Sequence, residues 1–191
     1  MSQLFILVVI IAVIVLRRWY NSPQRKGEAG EARVSERLFS LPSEYHVLND
    51  VVLRTDRGTT QIDHIIVSKF GIFTIETKNY RGEIYGDDNR NEWTQLIVTE
   101  VRYRRKWYKI YTHVTKNRFY NPVRQSIGHA RHIKKLLIGY SKIQVVPIVA
   151  FTENAILTNV NSSYPVVYVC QLPSLIQNYT SICLNDEDVK S

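Results

Sequence analysis

The sequence predicts an α/β fold, a mixed β-sheet flanked by helices, with a transmembrane helix in front of it. Three observations carry that expectation. Segments with helical spacing are interspersed with short β-rich runs, which is the pattern of a sheet covered by helices. Two of those runs are joined by a four-residue turn signal. An unbroken apolar run opens the chain.

That apolar run, Leu4 to Leu16, is 13 residues long and is followed by Arg17-Arg18-Trp19-Tyr20. About 20 residues normally span the hydrocarbon core. Residues 1–20 reach that length as a helix if the arginines snorkel and the aromatics sit at the interface. No positive charge precedes the run and no small-x-small cleavage site follows it, so an anchor is expected rather than a cleaved signal. The charges after it place the N-terminus outside and the rest of the chain in the cytoplasm as a single-pass protein. Residues 21–26 read as a linker, 27–180 as the folded domain and 181–191 as a tail.

Residues 27–41 read as a helix, since Ala29, Val34, Leu38 and Leu41 recur at helical spacing and Pro42 follows. Residues 45–53 are expected to form a strand, with a turn at Asp56-Arg57-Gly58. The runs 61–67 and 72–79 form a hairpin around Ser68-Lys69-Phe70-Gly71. A short strand near Ile84, a second hairpin within 93–111, and strands at 143–151 and 166–170 follow. Asn121-Pro122 starts a helix to about Ile138, with Asn as N-cap and Gly139 at its end. Residues 173–179 give a last short helix.

The chemistry concentrates in Gln61-Ile62-Asp63-His64 and Ile75-Glu76-Thr77-Lys78. Strand alternation points Glu76 and Lys78 to one face and Phe73, Ile75 and Thr77 to the other. With Val67 opposite Ile72, Asp63 lies opposite Glu76, and cross-strand neighbours have Cβ atoms about 4.5–5.5 Å apart. Two carboxylates at one spot repel unless a cation lies between them, and Mg²⁺ or Mn²⁺ suits hard oxygen donors. The competing reading is a charge cluster on a solvated strand, against which stands the apolar Ile65-Ile66-Val67 beside Asp63. Lys78 could orient or deprotonate an attacking water, or stabilise charge on a phosphate. By the same alternation His64 points away from Asp63 and is read as structural.

The charge of the chain is +8, and its excess lies between Val101 and Ala150, with 12 Lys and Arg and no Asp or Glu. Such a block suits a polyanion, nucleic acid or an anionic lipid surface. Within it Arg102, Arg104, Arg105, Lys106 and Lys109 interleave with Tyr103, Trp107, Tyr108 and Tyr111, a mixture that can contact phosphates and stack on bases. Arg124 is a further candidate contact. Cys170 and Cys183 make neither a disulfide framework nor a metal-ligand spacing, and His129 and His132 alone do not make a zinc site.

The sequence resembles the NERD (nuclease-related) domain, a branch of the PD-(D/E)XK nuclease superfamily. The resemblance rests on Gly27-Glu28-Ala29-Gly30-Glu31, Gln61-Ile62-Asp63-His64, Gly71-Ile72-Phe73, Glu76-Thr77-Lys78-Asn79-Tyr80, Gly82, Gly86, Trp93 and Asn121-Pro122-Val123-Arg124-Gln125, in the family's order. It implies a restriction-endonuclease-like sheet and divalent-metal-dependent hydrolysis of phosphodiester bonds, with DNA the expected substrate and RNA left open because no base-reading motif is identifiable. It gives Asp63 and Glu76 the role of metal ligands and Lys78 that of assisting the nucleophile. A Glu on the first helix completes the site, and Glu28 and Glu31 compete for it. Glu31 is preferred, since related members place their acid just before the helix's first apolar turn. Gln125 would hold the attacking water or a phosphate oxygen, or else satisfy a buried backbone group. Nuclease domains of this class often act as dimers, so a homodimer is also implied. Fold does not guarantee activity, and a non-catalytic membrane-tethered module binding nucleic acid or protein is the principal rival.

Overall fold

The computed structural model describes residues 23–56, 58–102, 110–137 and 143–184. The expected anchor at 1–20 lies outside the described residues. Among those described, no helix is long and apolar enough to cross a membrane.

The first helix, α1, spans Pro23–Leu38 and buries Gly30, Val34 and Leu38, one residue per turn along a single stripe. It begins and ends a few residues earlier than its sequence spacing predicts. Three antiparallel strands follow: β1 (His46–Thr55), β2 (Gly58–Ser68) and β3 (Gly71–Lys78). The hairpin closes as predicted, with Val67 opposite Ile72 and Ser68 opposite Gly71. After β4 (Gly82–Asp87), β5 (Glu92–Arg102) and β6 (Ile110–Tyr120) form a long ribbon. The second long helix, α2, spans Pro122–Leu136, with Asn121 as N-cap accepting from the backbone N–H groups of Val123 and Arg124. Strands β7 (Val145–Phe151), β8 (Ala155–Asn161) and β9 (Val166–Tyr168), a 3₁₀ turn and α3 (Leu172–Gln177) complete the described chain.

One mixed sheet is the expectation; two are found. The first has the order β1-β2-β3-β7-β9 and the second β6-β5-β4-β8. The first is antiparallel from β1 to β3 and parallel from β3 through β7 to β9, so it is mixed as expected. The second exists because β8 pairs with β4 rather than with a neighbour in the first sheet. Helices cover both faces of the first sheet. Val34 and Leu38 of α1 and Leu172 and Ile176 of α3 pack on Phe73, Ile75, Val146 and Ile148. On the opposite face Ile133 of α2 meets Ile65 and Ile72. A third cluster joins the two sheets, with the Trp93 ring stacked parallel to Phe151 at 6.2 Å. Gly86 lies flat beneath Trp93: a Cβ there would come within 2.2 Å of the indole.

Candidate active site

The β2–β3 hairpin parts where its acidic residues begin. The ladder runs from Ser68↔Gly71 to His64↔Ile75, and the next step in that register would pair Asp63 with Glu76. Beyond that point β3 continues against β7 while the first half of β2 stays with β1. The Asp63 side chain takes over from the lost backbone partner: Thr77 N–H donates to Asp63 Oδ2 at 2.7 Å. Even-numbered residues of β3 face α2, so Glu76 and Lys78 share a face, as strand alternation predicts.

A cleft of about 760 Å³ opens at this split. Asp63, Glu76 and Lys78 lie on its floor, Lys26, Gly27 and Glu31 of α1 form one side, and Gln95, Ile97 and Asn117 of the ribbon form the other. The helix can approach closely because of Gly30, where a Cβ would lie 2.8 Å from Asn79 Cβ. Asn79 in turn donates to the Lys26 carbonyl at 2.7 Å and accepts from Thr152 Oγ1 at 2.8 Å, fixing the start of α1 to the end of β3.

Glu76 is almost wholly buried, at 2% exposed, and both its oxygens are engaged. Lys78 Nζ donates to Oε1 at 2.6 Å, and His129 Nε2 donates to Oε2 at 3.2 Å. Lys78 also donates to Gln125 Oε1 at 3.2 Å. Burial pushes the Asp63 carboxyl up to about 7, and the neighbouring Glu76 pushes in the same direction, against the Thr77 N–H. Glu31 is raised too, first by burial and then by Asp50 and Glu76. Glu31 lines the cleft while Glu28 is exposed and does not, so the structure brings Glu31 to the other acids.

The donor set fits a hard divalent cation in its chemistry: adjacent carboxylates, one of them costly to ionise, with a single ammonium at the floor. Among the described residues no three Asp, Glu, His or Cys side chains already close around a common point. His64 donates from Nδ1 to Asn49 Oδ1 at 2.8 Å, away from the cleft, and burial holds its pKa down at about 4, so it is neutral and structural.

The candidate polyanion contacts fare differently. Arg104, Arg105, Lys106 and Lys109 lie outside the described residues, as does the side chain of Arg102. Arg124 is exposed, but its guanidinium is spent on the loop before β5, donating to Asn91 Oδ1 at 2.6 Å and to the carbonyls of Asn89 and Asp88. Sequence reasoning missed Lys26 and Arg81, two further cations that line the cleft beside Lys78. It also missed Asp50, a left-handed residue (φ 56°) beside the site, and the contact of His129. Spacing gives no sign of either, because Asp50 sits in an ordinary strand pattern and His129 meets partners far away in sequence.

Comparison with known proteins agrees with this geometry. Residues 26–152 match the family description "nuclease-related domain". A Bacillus anthracis protein described as uncharacterized is 34% identical over 173 residues, which make up 88% of this chain and 74% of that protein. The matched segment runs from the start of the cleft in α1 to the residue after β7, taking in every side chain on the cleft floor, and the chain belongs to the nuclease-related domain family.

Proposed function

We propose that the chain is a divalent-metal-dependent nuclease, hydrolysing phosphodiester bonds in DNA at the Asp63–Glu76 cleft. The observation that carries this reading is the pair of adjacent carboxylates at the split of β2 and β3, with Lys78 between Glu76 and Gln125. Mg²⁺ or Mn²⁺, when bound, would polarise a phosphate oxygen and supply an activated water. The chain's own residues do the rest. Asp63 and Glu76 hold negative charge at one spot, and Glu31 adds to it from α1. Lys78 presents an ammonium at the floor, where it can steer a nucleophile or offset charge on the phosphate. Gln125 holds that ammonium in place. Lys26 and Arg81, at the cleft, would contact flanking phosphates without reading sequence.

The basic segment around residues 102–109 extends this reading along a nucleic-acid backbone, and the apolar run at 4–16 supports a tether with the domain on the cytoplasmic side. Deleting residues 1–20 should release the protein from membranes; continued membrane association would reassign binding to the basic block. The function itself is tested by incubating plasmid, linear and single-stranded DNA with the full chain and Mg²⁺ or Mn²⁺. Cleavage lost in Asp63→Ala and Glu76→Ala is expected. Equal cleavage by the variants, or none by the parent on any substrate, favours a non-catalytic binding module.

A further inference from the structure

The side of α2 facing β3 is matched to it in pitch. Four residues along a helix rise about 6.0 Å, and two along a strand about 6.6 Å. Gln125 and His129 are four apart, Lys78 and Glu76 two apart, and each helix residue meets one strand residue. Ser126 adds a further tie to the sheet, its hydroxyl lying 3.1 Å from the Ile148 carbonyl and 3.4 Å from the Thr74 carbonyl. The helix is thus held in register by polar contacts at the level of the site, and His129 is 5% exposed there.

The ring of His129 is seated at both nitrogens. Its Nδ1 lies 3.3 Å from Thr60 Oγ1 on β2, and its Nε2 lies 3.2 Å from Glu76 Oε2 on β3. A carboxylate only accepts, so Nε2 carries the proton. The imidazole therefore spans the two strands on the side where the hairpin has parted, and it fixes the plane of the Glu76 carboxylate.

We propose that His129 is a positioning residue for Glu76, holding Oε2 so that Oε1 is the oxygen offered to a cation in the cleft. This rests on the ion-binding reading above. Lys78 occupies Oε1, and it has a second acceptor in Gln125, so Oε1 can be given up to a cation without stranding the ammonium. Oε2 has no such freedom, because His129 is buried and bound on its far side. Groups behind a metal ligand orient it, and losing one typically costs about 10–100-fold in metal affinity or activity.

The test measures Mn²⁺ affinity of the full chain by calorimetry, without substrate. His129→Gln places an amide N–H near the position of Nε2, whereas His129→Asn is one methylene shorter and falls short of Glu76. The Asn substitution is expected to weaken Mn²⁺ binding by about tenfold or more, and the Gln substitution to recover most of that loss. Equal affinities in the two variants, whether both strong or both weak, would overturn the proposal. If both substitutions unfold the chain, Thr60→Val carries the test: weaker binding is expected and unchanged binding overturns it. Glu76→Ala separates the two levels. A parent that binds Mn²⁺ no better than Glu76→Ala removes the ion site itself, while a clear difference there with equal His129 variants removes only the positioning role.

Discussion

The carboxylate of Asp63 accepts the backbone N–H of Thr77 at 2.7 Å, across the point where β2 and β3 separate. A side chain thereby does what a strand would otherwise do for a backbone donor, and the hairpin can open without leaving that donor unsatisfied. The opening is the cleft. The same carboxylate is then half-buried beside Glu76, which is why its proton is hard to remove.

A pH dependence follows. The Asp63 carboxyl sits at about 7 in the folded chain against an ordinary 3.8. Between those values the folded protein keeps a proton that the unfolded chain has released, so ion-free stability falls as pH rises from about 4 through 7. Asp63→Asn keeps an acceptor for Thr77 and carries no charge. It should be more stable than the parent by roughly 4 kcal/mol at pH 8, with the gap closing toward pH 4. Urea melts in EDTA across this range check it, and parallel pH profiles would count against it.

Lys78 is the ammonium that offsets a buried Glu76. Lys78→Met leaves that carboxylate without its cation and should cost about 3 kcal/mol in EDTA. Saturating Mn²⁺ should restore much of the loss, since ion binding stabilises the folded state by mass action. Thermal melts with and without Mn²⁺ give the comparison; a loss that Mn²⁺ does not reduce would contradict the reading.

Gly30 sets how closely α1 approaches the floor. Gly30→Ala should destabilise the fold by about 1–3 kcal/mol through overpacking against Asn79, despite the higher helix propensity of Ala. A neutral or stabilising effect in denaturant unfolding would show that α1 can move back freely.

Two of the exposed arginines should separate in DNA binding. Arg81 lines the cleft, whereas Arg124 is tied to loop oxygens. Arg81→Gln should lower affinity for every sequence and reduce the slope of log K against log salt by about one. Arg124→Gln should leave that slope unchanged and lower the melting temperature instead. Fluorescence anisotropy over a salt series distinguishes them.

Much of the first sheet's site was legible because strand alternation is strict. Once Val67 is set opposite Ile72, the placing of Asp63, Glu76 and Lys78 on one face follows, and so does the inward turn of His64. The Asn121 cap was equally readable, since Asn-Pro before a helical run has a local cause. The second sheet was not. Its strand β8 has the pattern Ala-Ile-Leu-Thr-Asn-Val-Asn, whose exposed outer positions dilute the signal, and its pairing with β4 spans some seventy residues. His129 was hidden for a related reason: on a helix wheel it is one polar residue among several, and only the fold brings Thr60 and Glu76 to its two nitrogens. The loop partners of Arg124 were equally hidden, since in the sequence it is one basic residue in a basic block and only the fold brings its guanidinium to three loop oxygens.

Anomalous scattering from crystals of the protein soaked in Mn²⁺ tests the shared cation site most directly. The account predicts a peak about 2.0–2.2 Å from a carboxylate oxygen of both Asp63 and Glu76, the range for a small hard cation. A peak bound to neither residue, or no peak with both carboxylates unchanged, would contradict it.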